Sequence, residues 1–457
     1  MKRHPYTCNI VLAGLLAYGI FTAHAATNLL LPASQQAPGG APIDAQTQGV
    51  DGLNYAPATI WERETLLGDM GDYRNQLLFK GISITPTYIA EVMGNVAGGI
   101  KPGAATDGLF NIAMDLDLER ITGFWKDATF HTNFMWLYGN GISQNYVGDF
   151  SNTSNIQGFS TFRVQEMWLQ QGLWNHRANV KVGLVAADAE FFTSTYSALF
   201  INGTFGAFTL VGSNLPNAPI YPMAAPAVRL FVQPVSKFYA QVGAFYGNSG
   251  AQNVNTTGFT FYPNSSAGAL IFSEIGFLLN QSPGDRGLHT TLKLGNFVHT
   301  ANFSTLHSQA LNSVNGSDLS GAGANYGFYG VVDHEVYKAA GKTIGFFMRG
   351  GFAPSNVSFV SGYIDTGFNF IGFVPGRDSD IVGLAFSRSF ISSDYSHSSQ
   401  FAGGPAAYAE NVLEATYKMN VTPWWSLQPD LQFIVNPGGN VGSPSALVLG
   451  LRTTVSF

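Results

Sequence analysis

From Ser83 onward, apolar and polar residues alternate with a period of two through much of the chain. In "FNIAMDLDLE", Phe110, Ile112, Met114, Leu116 and Leu118 fall on one side, and Asn111, Asp115, Asp117 and Glu119 on the other. "HTTLKLG" sets His289, Thr291 and Lys293 against Leu292 and Leu294. "VLEATYKM" opposes Glu414, Thr416 and Lys418 to Leu413, Ala415, Tyr417 and Met419. In "WWSLQPDLQFIVN", Ser426, Gln428, Asp430, Gln432 and Asn436 alternate with Trp425, Leu427, Leu431, Phe433 and Val435. The chain ends the same way: in "ALVLGLRTTVSF", Leu447, Leu449, Leu451, Thr453, Val455 and Phe457 share one face, and Gly450, Arg452, Thr454 and Ser456 the other. Successive side chains of a strand point to opposite faces, so each stretch predicts a β-strand with one apolar side.

A soluble sandwich also has strands with one apolar side. Here, however, the polar sides hold carboxylates, amides and cations together, as a wetted bore requires, and the pairs Trp136/Tyr138 and Trp424/Trp425 stand near strand ends, as an interfacial girdle would. About 370 residues lie from Ser83 to the end of the chain; at about 10 residues per strand plus turns and long loops they predict an all-β transmembrane barrel of about 16 antiparallel strands, wide enough for a water channel.

Two stretches depart from the alternation. In residues 61–82, Leu66, Tyr73, Leu77 and Leu78 approach helical spacing, which predicts a short periplasmic helical segment ahead of a barrel at 83–457. Residues 186–226, "AADAEFFTSTYSALFINGTFGAFTLVGSNLPNAPIYPMAAP", carry small residues and prolines with no sustained period. A long segment of that kind in a compact protein is usually functional. Two placements remain open for it: folded inward as a constriction of the channel, or an extracellular loop with a short helix at "YSALF".

The start of the chain supplies the compartment. Residues 1–25 carry Lys2, Arg3 and His4, an apolar run from Ile10 to Phe21 and the small-residue site Ala23-His24-Ala25, the pattern of a secretory signal peptide. Cys8 is the only cysteine and would leave with that peptide, so disulfides and thiolate metal sites are excluded from the mature chain. Residues 26–60, rich in Pro, Ala, Gly and Gln, read as a flexible leader. Charged residues make up 11% of the 457, against roughly 25% in soluble domains, and 46% are hydrophobic. The mean hydropathy is +0.09, yet no later stretch has the apolar length of a spanning helix. An exported, charge-poor chain without spanning helices satisfies its backbone in lipid only by closing a barrel. The net charge of -6 excludes a nucleic-acid footprint.

Several blocks occur in a recognisable order: "GDMGDYRNQLLFKGI", "LDLERITGFWKDATFHTN", "EMWLQQ", "KVGLVAADAEFF", "ALFINGTFG", "SNLPNAPIYPMAAPAVRLFVQP", "RGGFAPSN", "GFVPGRDSDIVGLAFS" and "PWWSLQPDLQFIVNPGGNVGSPSALVLGLRTTVSF". In these the chain resembles the carbohydrate-selective porin family of Gram-negative outer membranes, from Leu67 to Phe457. The resemblance implies a 16-stranded outer-membrane barrel passing glucose and related small sugars by facilitated diffusion, as monomer or trimer, amid outer-membrane lipid and lipopolysaccharide. It also implies that the strand ending in Phe457 is read by the outer-membrane assembly machinery. The alternative is a general small-solute porin.

Sugar is neutral, so a sugar path needs hydrogen-bonding groups and aromatic faces rather than a ring of one charge. The bore-facing candidates carry both signs: Glu91, Asp115, Asp117, Glu119, Glu166, Lys181, Arg229, Glu274, Lys293, Asp333, Glu335, Arg349, Glu414 and Lys418. Most of these are expected to solvate the wall or pair across strands, at about 0.2–1 kcal/mol per pair. Sharper candidates are Glu166, Trp168 and Gln170, which share a face as an acid–indole–amide row, and Arg349, followed by two glycines, whose planar fork either engages vicinal hydroxyls or ties an inward loop to the wall. Asp188 and Glu190 of the candidate constriction are expected partners for Arg163, Arg229 and Arg349. Serine-hydrolase and zinc-protease patterns are missing from the sequence, and Asp394 with His397 in a serine-rich loop is a weak metal pair. No cofactor, metal or catalytic residue is expected. A secreted sugar-binding sandwich would share the alternation but stay soluble without detergent.

Overall fold

A computed structural model describes residues 59–457 apart from 262–263, 283–284 and 317–320; the expected signal peptide and all but the last two residues of the leader lie outside the described residues. Sixteen antiparallel strands close into one barrel, each bonded to its sequence neighbours and the first to the last. They are β1 (Ile82–Ala97), β2 (Gly103–Asp117), β3 (Ala128–Gly139), β4 (Thr161–Leu173), β5 (Ala178–Val185), β6 (Ala225–Val235), β7 (Phe238–Tyr246) and β8 (Ala269–Leu279). The series continues with β9 (Thr290–Ser304), β10 (Gly321–Ala339), β11 (Lys342–Phe352), β12 (Val360–Ile371), β13 (Ile381–Ile391), β14 (Ala409–Thr422), β15 (Trp425–Val435) and β16 (Ala446–Ser456).

The connections differ by end. Residues 174–177, 236–237, 340–341 and 423–424 make tight turns at one rim, while 140–160, 186–224 and 392–408 are long connections at the other. In outer-membrane barrels the short turns are periplasmic and the long loops extracellular, which orients the molecule. Ala340 and Gly341 have φ of 50° and 75°, the pair of positive angles that a two-residue hairpin needs to match strand twist.

Alternation becomes inside and outside as expected. On β16, Leu449 and Leu451 are exposed on the outer wall, whereas Arg452, Thr454 and Ser456 are buried toward the bore. Trp424 and Trp425 stack at 6.1 Å on the periplasmic rim, and Trp136 and Tyr138 pack at 5.5 Å toward the opposite one.

The barrel closes where the chain ends. Glu91 of β1 pairs with Arg452 of β16 at 2.7 Å across the seam, and the Phe457 N–H donates to the Pro86 carbonyl at 3.0 Å. A single helix, Tyr73–Phe79, forms within the expected helical segment. Arg74 donates to the Phe457 carbonyl at 2.8 Å, and the Leu66 N–H to that of Ser456 at 2.8 Å, so the segment braces the final strand at the periplasmic rim.

Inside, one finding departs from a purely polar bore. Phe245, Phe272, Phe297 and Phe347 point inward and are at most 1% exposed. They pack against Phe191, Phe192, Phe200, Phe205 and Phe208 of the segment between β5 and β6, which folds into the barrel. The physical reason is simple: a loop folded into a bore needs a core of its own, and each buried phenylalanine contributes about 1.5–3 kcal/mol.

Candidate functional site

The inward segment follows the inner wall, and polar wall residues hold its backbone in turn. Glu166 of β4 accepts the Ala186 N–H at 3.0 Å. Glu274 of β8 accepts the Phe192 N–H at 2.9 Å and the hydroxyls of Tyr239 at 2.8 Å and Tyr329 at 3.0 Å. Lys293 of β9 donates to the Thr193 carbonyl at 2.7 Å, and Asp333 of β10 accepts Ser194 at 2.5 Å and the Thr195 N–H at 2.9 Å. Gln428 of β15 reaches the Leu199 carbonyl at 2.8 Å, and Glu414 of β14 takes the Ile201 and Asn202 N–H groups at 2.6 and 2.9 Å. At each of these contacts an amide of the loop meets an acceptor on the wall, or a loop carbonyl meets a donor.

Arg349 is the largest of these anchors. Its guanidinium forks onto Asp365 of β12, at 3.0 Å from Nε and 2.5 Å from Nη2. It also donates to the carbonyls of Gly206 at 3.0 Å, Thr204 at 3.2 Å and Phe205 at 2.7 Å. At 1% exposure it is closed to solute. Of the two roles left open for it, the geometry is that of a tie.

The other candidates divide as follows. Glu190 is held by Lys181 at 2.5 Å and Arg229 at 2.8 Å, while Arg229 also reaches Asn179 and, at 3.2 Å, Gln170. Burial would raise the Glu190 carboxyl, but Arg229 and Lys181 outweigh it and hold the carboxyl below the usual range. Asp188, expected to meet an arginine, instead accepts the Tyr221 N–H at 3.0 Å, and its other oxygen is buried without a partner. Burial pushes this acid up to about 8. Arg163 points to the Met223 sulfur at 3.0 Å and the Asn255 carbonyl at 3.2 Å rather than to an acid.

Glu166, Trp168 and Gln170 do share the inward face. Trp168, however, lies between the His131 ring, stacked at 4.7 Å, and the Lys181 ammonium, 3.6 Å above its centroid. Both faces of the indole are covered, so a sugar ring has no face to stack on. Asp115 holds His131 at 2.7 Å, and Asp117 caps the turn at Leu118–Thr122 through the Arg120 N–H at 3.1 Å. Asp117 and Glu119 therefore belong to the periplasmic rim; Glu119 is exposed in that turn, not in the bore.

Sequence reasoning missed a second inward segment, 140–160. Glu410 of β14 accepts the Phe150 and Ser151 N–H groups at 3.1 Å each, Gln432 donates to the Thr153 carbonyl at 2.9 Å, and Arg452 reaches Asn155 at 2.8 Å. The two segments are laced together: Asn155 N–H to the Ile201 carbonyl at 2.7 Å, Gly203 N–H to that of Asn152 at 2.8 Å, and the Tyr221 hydroxyl to that of Ile156 at 3.1 Å. The signal was present in "YGNGISQNYVGDFSNTSNIQGFS", which has no strand period and is dense in Asn, Gly and Ser. Between the segments lies a cavity of about 330 Å³, with Asn152, Asn155, Gln157, Asp188, Tyr221 and Gln252 among its lining and Phe208 beside them. At about 30 Å³ per water this is room for roughly ten waters.

Residues 101–457 match the model of the carbohydrate-selective porin, OprB family. The chain belongs to that family. It is an outer-membrane porin, and its family and fold are those of a channel rather than an enzyme. The porin is 25% identical to Porin B of Pseudomonas aeruginosa over 435 residues, covering 88% of this chain and 92% of that one. The high-pH structure of Pseudomonas putida OprB superposes with a TM-score of 0.80 at 25% identity, covering 88% of the porin and all of its counterpart. The low-pH structure of the same protein shares the fold at a TM-score of 0.56 and 20% identity, covering 87% and 99%.

Proposed function

We propose that this porin passes small neutral sugars by facilitated diffusion through an opening bounded by segments 140–160 and 186–224, and that groups on these segments, rather than the charges of the wall, select the solute. One observation carries the reading. At the level of the inward segments Glu274, Lys293, Asp333, Glu414, Glu190 and Arg349 are engaged with the wall strands or with the loop, and the cavity between the segments is lined mainly by amides, hydroxyls and ring edges. Asp188, whose pKa burial raises to about 8, is protonated at neutral pH and serves there as a further neutral hydrogen-bonding group. Such a lining hydrogen-bonds hydroxyls weakly and repeatedly, which conduction requires, and presents no ring of one charge to an ion.

Liposome swelling with the purified porin tests the reading. Mono- and disaccharides should enter faster than charged solutes of similar size. Equal rates would instead assign a general small-solute pore.

A further inference from the structure

Arg388 stands on the wrong side of the wall for a cation. Its neighbours Ser387 and Ser389 are each 1% exposed and face the bore, so the strand's alternation turns Arg388 outward, toward lipid. Its cross-strand partners are Ile364 of β12, exposed on the outer wall, and Asn411 of β14. The other strand arginines, Arg163, Arg229, Arg349 and Arg452, are all buried toward the bore, and the last three each hold a carboxylate. Arg388 holds none among the described residues, and its Nε is buried without a partner.

Its position along the strand is specific. β13 rises from the periplasmic turn 372–380 to the loop 392–408, and Arg388 lies three residues below the loop end. The guanidinium rests 4.8 Å from the centre of the Phe390 ring and 5.1 Å from that of Tyr408, which is 60% exposed at the foot of the loop. Below it the outer wall turns greasy, with Leu384 and Leu413 half exposed. A lone charge on the lipid side costs little only near an interface, and here the interface is that of the outer leaflet.

We propose that Arg388, with the Asn411 amide and the Tyr408 hydroxyl beside it, binds the phosphate of an outer-leaflet lipid whose acyl chains lie on the Leu384–Leu413 wall. The planar fork of arginine matches two phosphate oxygens, and the aromatic rings hold that fork flat while the cation spreads its charge over their faces. A free phosphate would satisfy the same fork. The apolar wall directly beneath favours a phosphate that arrives on a lipid. This site is on the outside of the barrel and does not depend on the sugar reading.

The test is retention of lipid A by the full barrel in detergent, followed by native mass spectrometry, for the unmodified protein and Arg388→Gln. The unmodified protein should retain bisphosphorylated lipid A about tenfold more strongly than the variant, the factor expected for loss of a charge-assisted pair. Dephosphorylated lipid A should bind the unmodified protein as weakly as lipid A binds the variant, and inorganic phosphate should not displace the lipid. Unchanged conductance and heat-modifiable mobility show that Arg388→Gln has assembled. Equal retention by both proteins overturns the proposal, as does displacement by inorganic phosphate. If the variant does not assemble, the dephosphorylated lipid decides on the unmodified protein alone: retention indifferent to the phosphate overturns the site.

Discussion

The two faces of the same strands obey different rules. On β15, Leu431 points outward and Gln432 inward, one residue apart. Leu431 is 42% exposed and needs only to be apolar, because lipid is an undemanding neighbour. Gln432 is fully buried and has named partners: it accepts from Asn202 at 2.9 Å and donates to the Thr153 carbonyl at 2.9 Å, which ties both inward segments to one side chain. The outer face is specified by residue class, the inner by pairing. Mutations should therefore be tolerated by class outside and by partner inside.

The sharpest break is Arg349→Ala. It leaves the Asp365 carboxylate buried without its cation and the Phe205 and Gly206 carbonyls without a donor, a loss of about 3–5 kcal/mol. Unfolding in detergent should shift accordingly, and single-channel conductance should rise as the 204–206 stretch leaves the wall. Met348→Leu, its outward neighbour, should change neither. An unaltered conductance in Arg349→Ala would remove the tie assigned to this residue. Next in size is a violation of class: Leu431→Arg sets a charge about midway along β15 on the lipid side and should cost about 2–4 kcal/mol of barrel stability, read in refolding titrations. A cost below that of a Leu431→Ala control would mean that this face is not in lipid.

This asymmetry also explains how much the sequence disclosed. Outward faces follow a period of two, and the barrel and its polar and apolar sides were legible from that period alone. The bore was legible in polarity and only partly in pairing. Glu190 was expected beside a wall arginine and meets Arg229, 39 residues on, but no local pattern added Lys181, nine residues before it, to the same cluster. Asp188, two positions away, looks the same in sequence yet meets a backbone N–H and no cation. Trp168 had the right face, but its neighbours His131 and Lys181 come from the flanking strands β3 and β5. Inward phenylalanines such as Phe272 defied the polar-bore expectation because their partners lie in a segment some 80 residues earlier.

A smaller effect tests the electrostatics of the opening. With its pKa raised by burial to about 8, Asp188 is neutral below that pH and charged above it. Raising the pH from about 6 to about 10 should therefore add one negative charge to the cavity and move the reversal potential toward cation selectivity, with the midpoint near 8. Asp188→Asn should flatten that step. A step that survives in Asp188→Asn belongs to another group.

The smallest expected effect discriminates most finely between class and partner. By class, Trp168 is the best sugar platform in the bore: an inward indole in line with an acid and an amide. By partner, it is spent. His131 lies parallel to one face with a 16° tilt, and the Lys181 ammonium caps the other. A cation over an indole contributes about 0.5–2 kcal/mol, and Lys181 is already committed to Glu190, so the ring stiffens the Lys181–Glu190–Arg229 cluster that fixes the start of the inward segment. Trp168→Phe keeps an aromatic face of reduced strength, so the cluster should loosen slightly while sugar flux in swelling assays changes by less than about twofold, well within 1 kcal/mol. A selective fall in sugar flux, with charged solutes unaffected, would return the indole to the solute path and show that side-chain class decides inside the bore as well as outside it.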